Sequence, residues 1–413
     1  MRLVFLILGL ITSVLLGYGI FELLRAPQDV KVGAAKEAVE QARPAGKSLE
    51  ERIRDAERRS QNVKGVYMTA AVANDQGRAA TYLRENILKL IDETELDGIV
   101  IDVKETDGSE ITPHLKSFLE RLHAKDIWTI ARIATFRDNS QVTPHPEYYL
   151  KRSDGRIWRD RKGNAWLDPA SAGGRGYMAD FSKSVADLGF DELQYDYIRF
   201  PSDGDVSQIV YPSFQASTTP KYDVLRDFFA FLDHEIKSYK PEIILSADLF
   251  GLVATGEDLG IGQRLTDVGE HFDYISLMLY PSHFYSGFYV PADGVRNLPA
   301  ISLPYDSKIK TEITSANPAL VVLRSLYAAS DILSGLNGVT ATSTAAISNS
   351  QFPLQAKLRP WLQDFDLDAD TRRGIQYDAA AVRAQIDAAE AAGASGWLLW
   401  SPTNTYTEQA LDR

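Results

Sequence analysis

Two aspartates near the ends of apolar runs are the residues best suited to chemistry. Asp196 lies in Asp191-Glu-Leu-Gln-Tyr-Asp-Tyr-Ile-Arg-Phe-Pro201, and Asp248 lies in Ile243-Ile-Leu-Ser-Ala-Asp-Leu-Phe250. A polar side chain in a buried strand costs roughly several kcal/mol when it is unpaired, so it usually has a partner or a role. Two carboxyl groups that flank a glycosidic bond, one protonated and one ionised, can hydrolyse that bond. The pair therefore indicates sugar chemistry.

Polar and aromatic side chains of other runs are expected at the same end. Successive side chains of a strand alternate between its faces, so Asp102 and Lys104 should share one face, as should Trp361 and Gln363. Arg199 lies at the end of the run that contains Asp196. The candidate sugar-binding residues are Asp102, Lys104, Arg199, Tyr280, Gln363 and Trp400.

Each candidate also has a purely structural interpretation. Asp196 can pair with Arg199 or Lys104, and Asp102 can form an internal salt bridge with Lys104. Asp248 can cap the loop that follows its strand. The two aromatic candidates can serve as packing at the top of a barrel.

Eight apolar runs must position these residues. They span residues 64–70, 97–104, 127–136, 190–200, 243–250, 272–280, 358–366 and 395–401, with helical spacing between them. Near-continuous apolar runs are typical of parallel strands, so the pattern predicts an α/β fold, a (β/α)8 TIM barrel. Active sites of this fold lie at the C-terminal ends of the strands. The chain leaves little room for an eighth helix, and a charged helix at 48–60 is a candidate to cover that gap.

The chain is predicted to have three parts. Residues 1–24 are nearly all apolar from Leu3 to Leu24, and about 20 apolar residues can cross a bilayer. We interpret them as an uncleaved transmembrane signal anchor, with a cleaved signal peptide as the alternative. Residues 25–62 form a linker and a short charged helix that starts with a capping box, Ser48 followed by Glu51. Residues 63–413 form the barrel.

This organisation predicts where in the cell the protein lies, and two stretches of the barrel are unusual. We expect a single-pass protein with its N-terminus inside and its barrel outside the cytoplasm, or alternatively a secreted protein. Residues 137–170 exceed ordinary loop lengths, and Trp158 and Trp166 can either pack into the core or form a substrate platform. The stretch near 335–357 is rich in Ser and Thr and is predicted to be an insertion.

The composition argues against several function classes. The net charge of −12 disfavours a nucleic-acid partner. Cysteine is absent, which excludes disulfides and thiolate metal sites. The six histidines lack ligand-pair spacing, so we predict no metal site and disfavour a metal-dependent deacetylase. Nucleotide-binding glycine motifs and a Gly-x-Ser-x-Gly elbow are also absent from the sequence, so we predict no cofactor and disfavour serine hydrolysis.

Several motifs together resemble a known family. They include Asp97-Gly-Ile-Val-Ile-Asp-Val-Lys104, Trp158-Arg-Asp-Arg-Lys-Gly-Asn-Ala-Trp-Leu-Asp-Pro169, the segment Leu188–Asp203 and Gly396-Trp-Leu-Leu-Trp400. Over about residues 63–405 the chain resembles the bacterial family described as a "putative glycosyl hydrolase domain". The resemblance implies a TIM barrel related to α-amylase-like and α-galactosidase-like hydrolases. It also implies a nucleophile at the end of the fourth strand, Asp196, and an acid/base on the fifth, Asp248, where the amylase-like pattern has Glu.

The resulting hypothesis is a membrane-anchored glycoside hydrolase that cleaves an envelope or environmental polysaccharide. Arg199 and Lys104 would hold Asp196 ionised. Its expected partners are a polysaccharide or oligosaccharide and, through the N-terminal helix, the membrane. The alternatives are a non-catalytic carbohydrate-binding barrel that acts as an envelope receptor or scaffold, and a structural envelope protein whose mouth is closed by residues 137–170.

Overall fold

The eight predicted strands are present and close into a barrel. The computed structural model describes residues 47–256, 259–335 and 356–413. The strands are β1 (Val63–Met68), β2 (Gly98–Glu105), β3 (Trp128–Ala134), β4 (Glu192–Asp196), β5 (Ile244–Phe250), β6 (Tyr274–Leu279), β7 (Trp361–Gln363) and β8 (Gly396–Trp400). Each strand pairs in parallel with the next, and β8 pairs with β1. The predicted (β/α)8 barrel is confirmed.

Helices connect the strands. They are α1 (Leu49–Arg59), α2 (Ala70–Asn74), α3 (Arg78–Glu93), α4 (Pro113–His123), α5 (Ala172–Leu188), α6 (Lys221–Tyr239), α7 (Leu265–Gly269), α8 (Pro318–Leu333), α9 (Asp368–Arg373) and α10 (Ala379–Ala391). The predicted capping box begins α1, because Ser48 Oγ accepts the Glu51 N–H at 3.2 Å and a Glu51 carboxylate oxygen accepts the Ser48 N–H at 2.7 Å. After β8, residues 401–413 form only a single 3-10 turn, Glu408–Ala410, so the eighth helix is missing as predicted.

The end of α1 and a buried ion pair close the N-terminal end of the barrel. Ala56 packs against the apolar side chains inside the barrel. Arg359 donates to both carboxylate oxygens of Glu192, at 2.9 and 2.8 Å, and to the carbonyl oxygen of Ser60 at 2.7 Å. The end of α1 therefore lies beneath the barrel, which differs from the expected position in the gap after β8.

Two clusters of apolar side chains form the core. One fills the barrel and includes Val63, Tyr67, Val100, Trp128, Ile130, Ile244, Tyr274, Tyr280, Trp361 and Leu398. The other lies between strands and helices, where for example Ile99 and Ile101 of β2 join Ile87 of α3. Each buried aliphatic side chain contributes about 1.5–3 kcal/mol. The alternation along the strands therefore determines which side chains reach the interior.

One strand departs from that alternation. The register of β2 against β3 shifts after Asp102, so that Asp102 lies opposite Arg132 but Lys104 lies opposite Ile133, a residue of the outer cluster. A bulge of this kind adds one residue to a strand and redirects the side chain that follows. Lys104 instead forms a fully buried ion pair with Asp138 at 2.8 Å. The predicted shared face of Asp102 and Lys104 is therefore wrong.

Residues 137–170, called the lobe below, follow β3 as a group of short antiparallel pairs. Trp158 and Trp166 are only 2% and 1% exposed. The Trp158 N–H donates to the carbonyl oxygen of Asp205 at 2.9 Å, and the Trp166 N–H donates to Asp160 at 3.1 Å. Both rings therefore anchor the lobe, which agrees with core packing and not with an open platform.

Three predicted features lie outside the described residues. They are the transmembrane anchor at 1–24, the linker up to residue 46 and most of the insertion, residues 336–355. Within the described part of the chain, no helix combines the length and the apolar character that spanning a membrane requires.

Candidate active site

A cavity of about 670 Å³ opens at the C-terminal ends of the strands. Four of the candidate residues line it: Asp196, Asp248, Tyr280 and Trp400. Other lining residues are Arg132, Arg161, Tyr197, Ser202, Asp203, Phe250, His283, Tyr285 and Trp361. The volume is typical of a small-ligand site, and the position is the one at which barrel enzymes carry their chemistry.

Asp196 and Asp248 lie side by side on adjacent strands. Asp196 is the last residue of β4, and Asp248 lies in β5. The two strands pair in register as far as Tyr195 and Ala247, so the next step along the strands brings the two aspartates together. Neighbouring strands are about 4.8 Å apart. Because both aspartates point to the interior face, their carboxyl groups enter the cavity as neighbours.

Arg132 of β3 connects the carboxyl groups of the site, and the sequence analysis missed it. Its guanidinium contacts Asp102 at 2.5 Å, forms an ion pair with Asp196 and lies 3.7 Å from Asp248. Burial alone would lower the pKa of Arg132, but the nearby carboxylates raise it well above its usual value. The available signal was the lone charge of Arg132 within the apolar run at 127–136.

The surroundings of Asp248 favour its protonated form. Burial raises its pKa well above the usual value, and the negative charge of Asp196 adds to the effect. Arg132 and a hydrogen bond from the Trp361 N–H, at 2.7 Å, oppose the shift without reversing it. A carboxyl group that keeps its proton near neutral pH can act as a general acid.

Two donors hold the carboxylate of Asp196. It accepts a hydrogen bond from Arg132 and another from the backbone N–H of Tyr197 at 2.5 Å. Tyr197 has φ 51°, in the left-handed region that bulky residues rarely adopt. The Arg137 guanidinium, 3.6 Å from the centre of the Tyr197 ring, helps to hold this turn. Asp196 is therefore held between a cation and a backbone donor, whereas the surroundings of Asp248 raise its pKa.

Asp102 supports Arg132 and does not line the cavity. It is 1% exposed and accepts hydrogen bonds from Arg132 and from the Tyr67 hydroxyl. Burial raises the pKa of Tyr67, and the adjacent Asp102 carboxylate raises it further, so the hydroxyl stays a donor. Across residues 47–256, 259–335 and 356–413, no three histidine, aspartate or glutamate side chains are grouped so that they could hold a metal ion.

Three other candidates also lie behind the cavity wall. Lys104 pairs with Asp138, as described above. Arg199 donates to the carbonyl oxygen of Phe200 at 2.9 Å and to Ser202 at 3.2 Å, and burial lowers its pKa to about 10. Gln363 accepts from the N–H and hydroxyl of Ser282, at 3.3 and 2.9 Å. The expected ion pairs of Lys104 and Arg199 with Asp196 are absent among the described residues, and Arg132 takes that position.

Aromatic rings line one side of the cavity and continue outward. Tyr280 and Trp400 stack with centroids 5.4 Å apart, and Phe365 meets Trp400 edge-on at 5.0 Å. Outward from these, Tyr285 lies 5.5 Å from His283, and its side chain is 59% exposed. Flat rings of this kind complement the apolar face of a pyranose.

A family match covers most of the barrel. The sequence profile of the family described as "Putative glycosyl hydrolase domain" matches residues 65–406, which confirms the resemblance seen in the motifs. A search of curated proteins returned no matching sequence.

Solved structures resemble the chain as well. The glycoside hydrolase domain of PgaB (BpsB) from Bordetella bronchiseptica is 13% identical, over 83% of this chain and 94% of its own, with a TM-score of 0.53. A hypothetical protein from Ruminiclostridium thermocellum ATCC 27405 is 27% identical over 44% of this chain and 96% of its own, with a TM-score of 0.37. The α-galactosidase TtGalA from Thermus thermophilus is 13% identical over 83% and 58%, with a TM-score of 0.43. The likeness to the Bordetella domain concerns the fold alone.

Proposed function

The chain belongs to the family described as "putative glycosyl hydrolase domain", and from this premise we propose that it hydrolyses glycosidic bonds with Asp248 as acid/base and Asp196 as nucleophile. One observation carries the proposal. Two carboxyl groups on adjacent strands share one cavity; burial and the neighbouring charge raise the pKa of Asp248, and Asp196 accepts hydrogen bonds from Arg132 and from the Tyr197 N–H. That division of roles is what the reaction requires.

The first step would form a covalent intermediate. Asp248 gives its proton to the glycosidic oxygen while a carboxylate oxygen of Asp196 attacks the anomeric carbon. The bond between that carbon and the leaving oxygen breaks, and the leaving sugar departs with a hydroxyl group. The sugar that remains is bound to Asp196 as an ester.

The second step would restore the enzyme. Asp248, now ionised, takes a proton from a water molecule whose oxygen attacks the anomeric carbon and displaces Asp196. The Arg132 guanidinium, 3.7 Å from Asp248, stabilises the charge that Asp248 carries between the steps. Retaining enzymes hold their carboxyl groups about 5–5.5 Å apart and inverting enzymes about 6.5–9.5 Å. A single guanidinium, that of Arg132, lies within ion-pair distance of both carboxyl groups, which supports the shorter separation and the retaining mechanism.

The substrate we propose is a polysaccharide or oligosaccharide of the cell envelope or the environment. Tyr280 and Trp400 would pack on a sugar face inside the cavity, and Tyr285 would contact a unit farther along the chain. In the same proposal the segment 1–24 anchors the protein in the membrane, with the barrel outside the cytoplasm. Protease digestion of intact cells followed by detection of the barrel tests that location.

Reducing-end release from a panel of envelope and plant polysaccharides tests the activity. The wild-type protein should release new ends, whereas Asp196→Asn should not, and equal melting temperatures would show that both are folded. Asp227→Asn on the outer helix α6 is the matched control and should retain activity. Proton NMR of the first product distinguishes retention from inversion. Binding without release by both proteins would favour the non-catalytic carbohydrate-binding barrel.

A further inference from the structure

The lobe carries a concentration of positive charge. Between Lys151 and Lys162 the sequence has six basic and two acidic side chains, a formal balance of +4 in a chain whose net charge is −12. The basic residues are Lys151, Arg152, Arg156, Arg159, Arg161 and Lys162. The charge of this segment is therefore opposite to that of the molecule as a whole.

These cations border the active-site cavity and a second cavity beside it. Arg161 lines the first cavity. Arg152, Arg156 and Arg159 line the second, which has a volume of about 500 Å³. Gly204 lies against the backbone of the lobe between the two, since a Cβ at this position would be 3.2 Å from the Arg161 nitrogen. A chain leaving the first cavity along the lobe would therefore meet several arginines in succession.

Most of this charge is not neutralised within the lobe. Asp160 is 8% exposed, and its carboxylate accepts hydrogen bonds from inside the lobe, including the Asn164 N–H at 2.8 Å. Arg156 pairs with Asp154 at 2.6 Å, but Arg159 donates only to neutral oxygens, among them the Gly163 carbonyl at 2.7 Å.

The cations nearest the first cavity are the least compensated. Arg159, Arg161 and Lys162 are exposed, and none of them forms an ion pair with any residue that the structure describes. Exposed and unpaired guanidinium groups remain available to a ligand. They also raise the local concentration of anions at the cavity.

We propose that the glycan bound by this protein is acidic, and that the lobe holds the anionic groups of sugar units next to the scissile bond. This inference rests on the proposed function and adds the chemical class of its substrate. Guanidinium groups bind carboxylate, sulfate and phosphate oxygens through paired, charge-assisted hydrogen bonds. Arg161 would contact the unit nearest the cavity, and Arg159 the units beyond it.

Binding measured in the full-length Asp196→Asn protein tests the inference without turnover. The probes are polygalacturonate, dextran sulfate and a phosphomannan, with dextran and galactan as neutral polymers, at 50 and 500 mM NaCl. We expect at least one acidic polymer to bind about tenfold more tightly than the neutral ones, and added salt to weaken that binding. The acidic polymer that binds identifies the anionic group.

Two matched double variants locate the effect. Arg159→Gln with Arg161→Gln should weaken binding of the acidic polymer about tenfold. Lys89→Gln with Lys125→Gln removes equal charge at the other end of the barrel and should leave binding unchanged, because both lysines form exposed ion pairs there.

Three results would overturn the inference: no binding to any acidic polymer, equal binding of neutral and acidic polymers, or equal effects of the two double variants. A wild-type protein that binds an acidic polymer through the lobe but releases no reducing ends from it would refute the hydrolase and leave the lobe as a binding surface. Cleavage of neutral polymers alone would support the hydrolase and refute the acidic substrate.

Discussion

Replacement of Arg132 by methionine tests the electrostatic account of the site. The guanidinium contacts three carboxyl groups, and the side chains of Asp102, Asp196 and Asp248 are only 2%, 9% and 1% exposed. Methionine has a similar length and no charge. The variant therefore keeps much of the packing and loses the positive charge that compensates the carboxylates.

The expected loss of stability is large for a single change. Removal of one partner from a buried ion pair costs about 3–5 kcal/mol, because the other charge stays buried without compensation. Asp102 and Asp196 lie closest to the guanidinium, so these two carboxylates lose most of the counter-charge. We expect a loss of about 3 kcal/mol in the free energy of unfolding at pH 7.5, measured by urea denaturation. Domains of this kind have about 5–15 kcal/mol in total.

The loss should depend on pH. Burial raises the pKa of Asp248 and Arg132 opposes that shift, so removal of Arg132 should raise this pKa further above the unfolded value of about 3.9. An acid with a raised folded pKa stabilises the fold at low pH, and that contribution disappears as pH rises through the interval between the two values. The difference between variant and wild type should therefore be smaller at pH 4.5 than at pH 7.5.

Arg296→Met is the control for this experiment. Arg296 also bridges two carboxylates, those of Asp293 at 2.6 Å and Asp331 at 2.7 Å, but these are 11% and 24% exposed, against 2% for Asp102 and 9% for Asp196. Exposed pairs are worth about 1 kcal/mol or less. A loss below 1 kcal/mol for Arg132→Met at pH 7.5, or the same loss at both pH values, would show that Arg132 does not compensate the buried carboxyl groups.

Three further predictions concern single residues. Asp248→Asn should lower kcat about 10²–10⁴-fold. Because burial and the charge of Asp196 raise the pKa of Asp248, wild-type thermal stability should also decline as pH rises above about 4. The variant should lack this decline. Tyr285→Ala should raise KM for a polymer several-fold and leave KM for a short aryl glycoside unaffected. Tyr82→Ala should change neither, although Tyr82 is 68% exposed and Tyr285 59%. Gly396→Ala should lower the melting temperature far more than Gly163→Ala, although both glycines have φ +86°. Of the two, only Gly396 has a backbone atom, the Val63 carbonyl oxygen, as close as 2.0 Å to the position of an added Cβ.

Each of these has a contrary outcome. An Asp248→Asn protein with wild-type kcat would remove this residue from the mechanism. Equal KM changes for polymer and aryl glycoside would place Tyr285 outside any extended binding track. Equal melting temperatures of the two glycine variants would mean that the pairing of β1 with β8 tolerates a methyl group.

The sequence was sufficient to predict the barrel, because the apolar pattern that indicates this fold is distributed over many residues. Eight apolar runs predicted eight strands, and the face of α4 formed by Leu115, Phe118, Leu119 and Leu122 is buried as its spacing predicted. The parity of Asp196 and Asp248 also placed both at the mouth, since β4 and β5 are regular up to those residues.

Local irregularities limited the prediction of the site. The bulge after Asp102 redirects Lys104. A left-handed turn at Tyr197, three residues after Gln194, ends β4. Arg199 therefore does not continue the strand pattern. Neither feature has a glycine or proline to mark it in the sequence. Arg132 was missed for another reason, since it was one charge among apolar neighbours and its three partners come from three other strands that are distant in the sequence.

The closure of β1 against β8 has a consequence for how the molecule reaches its native state. The Thr69 N–H donates to Asn404 Oδ1 at 2.8 Å across 335 positions of sequence, and Arg359 reaches the Ser60 carbonyl across 299. Contacts of such separation form slowly, because a long stretch of chain must lose its freedom before the contact is made. During synthesis, β1 emerges from the ribosome long before β8, and one of its edges must wait for a partner. Until β8 arrives, that edge of β1 presents unpaired backbone groups, which is where an unfinished sheet is most open to pairing with another chain.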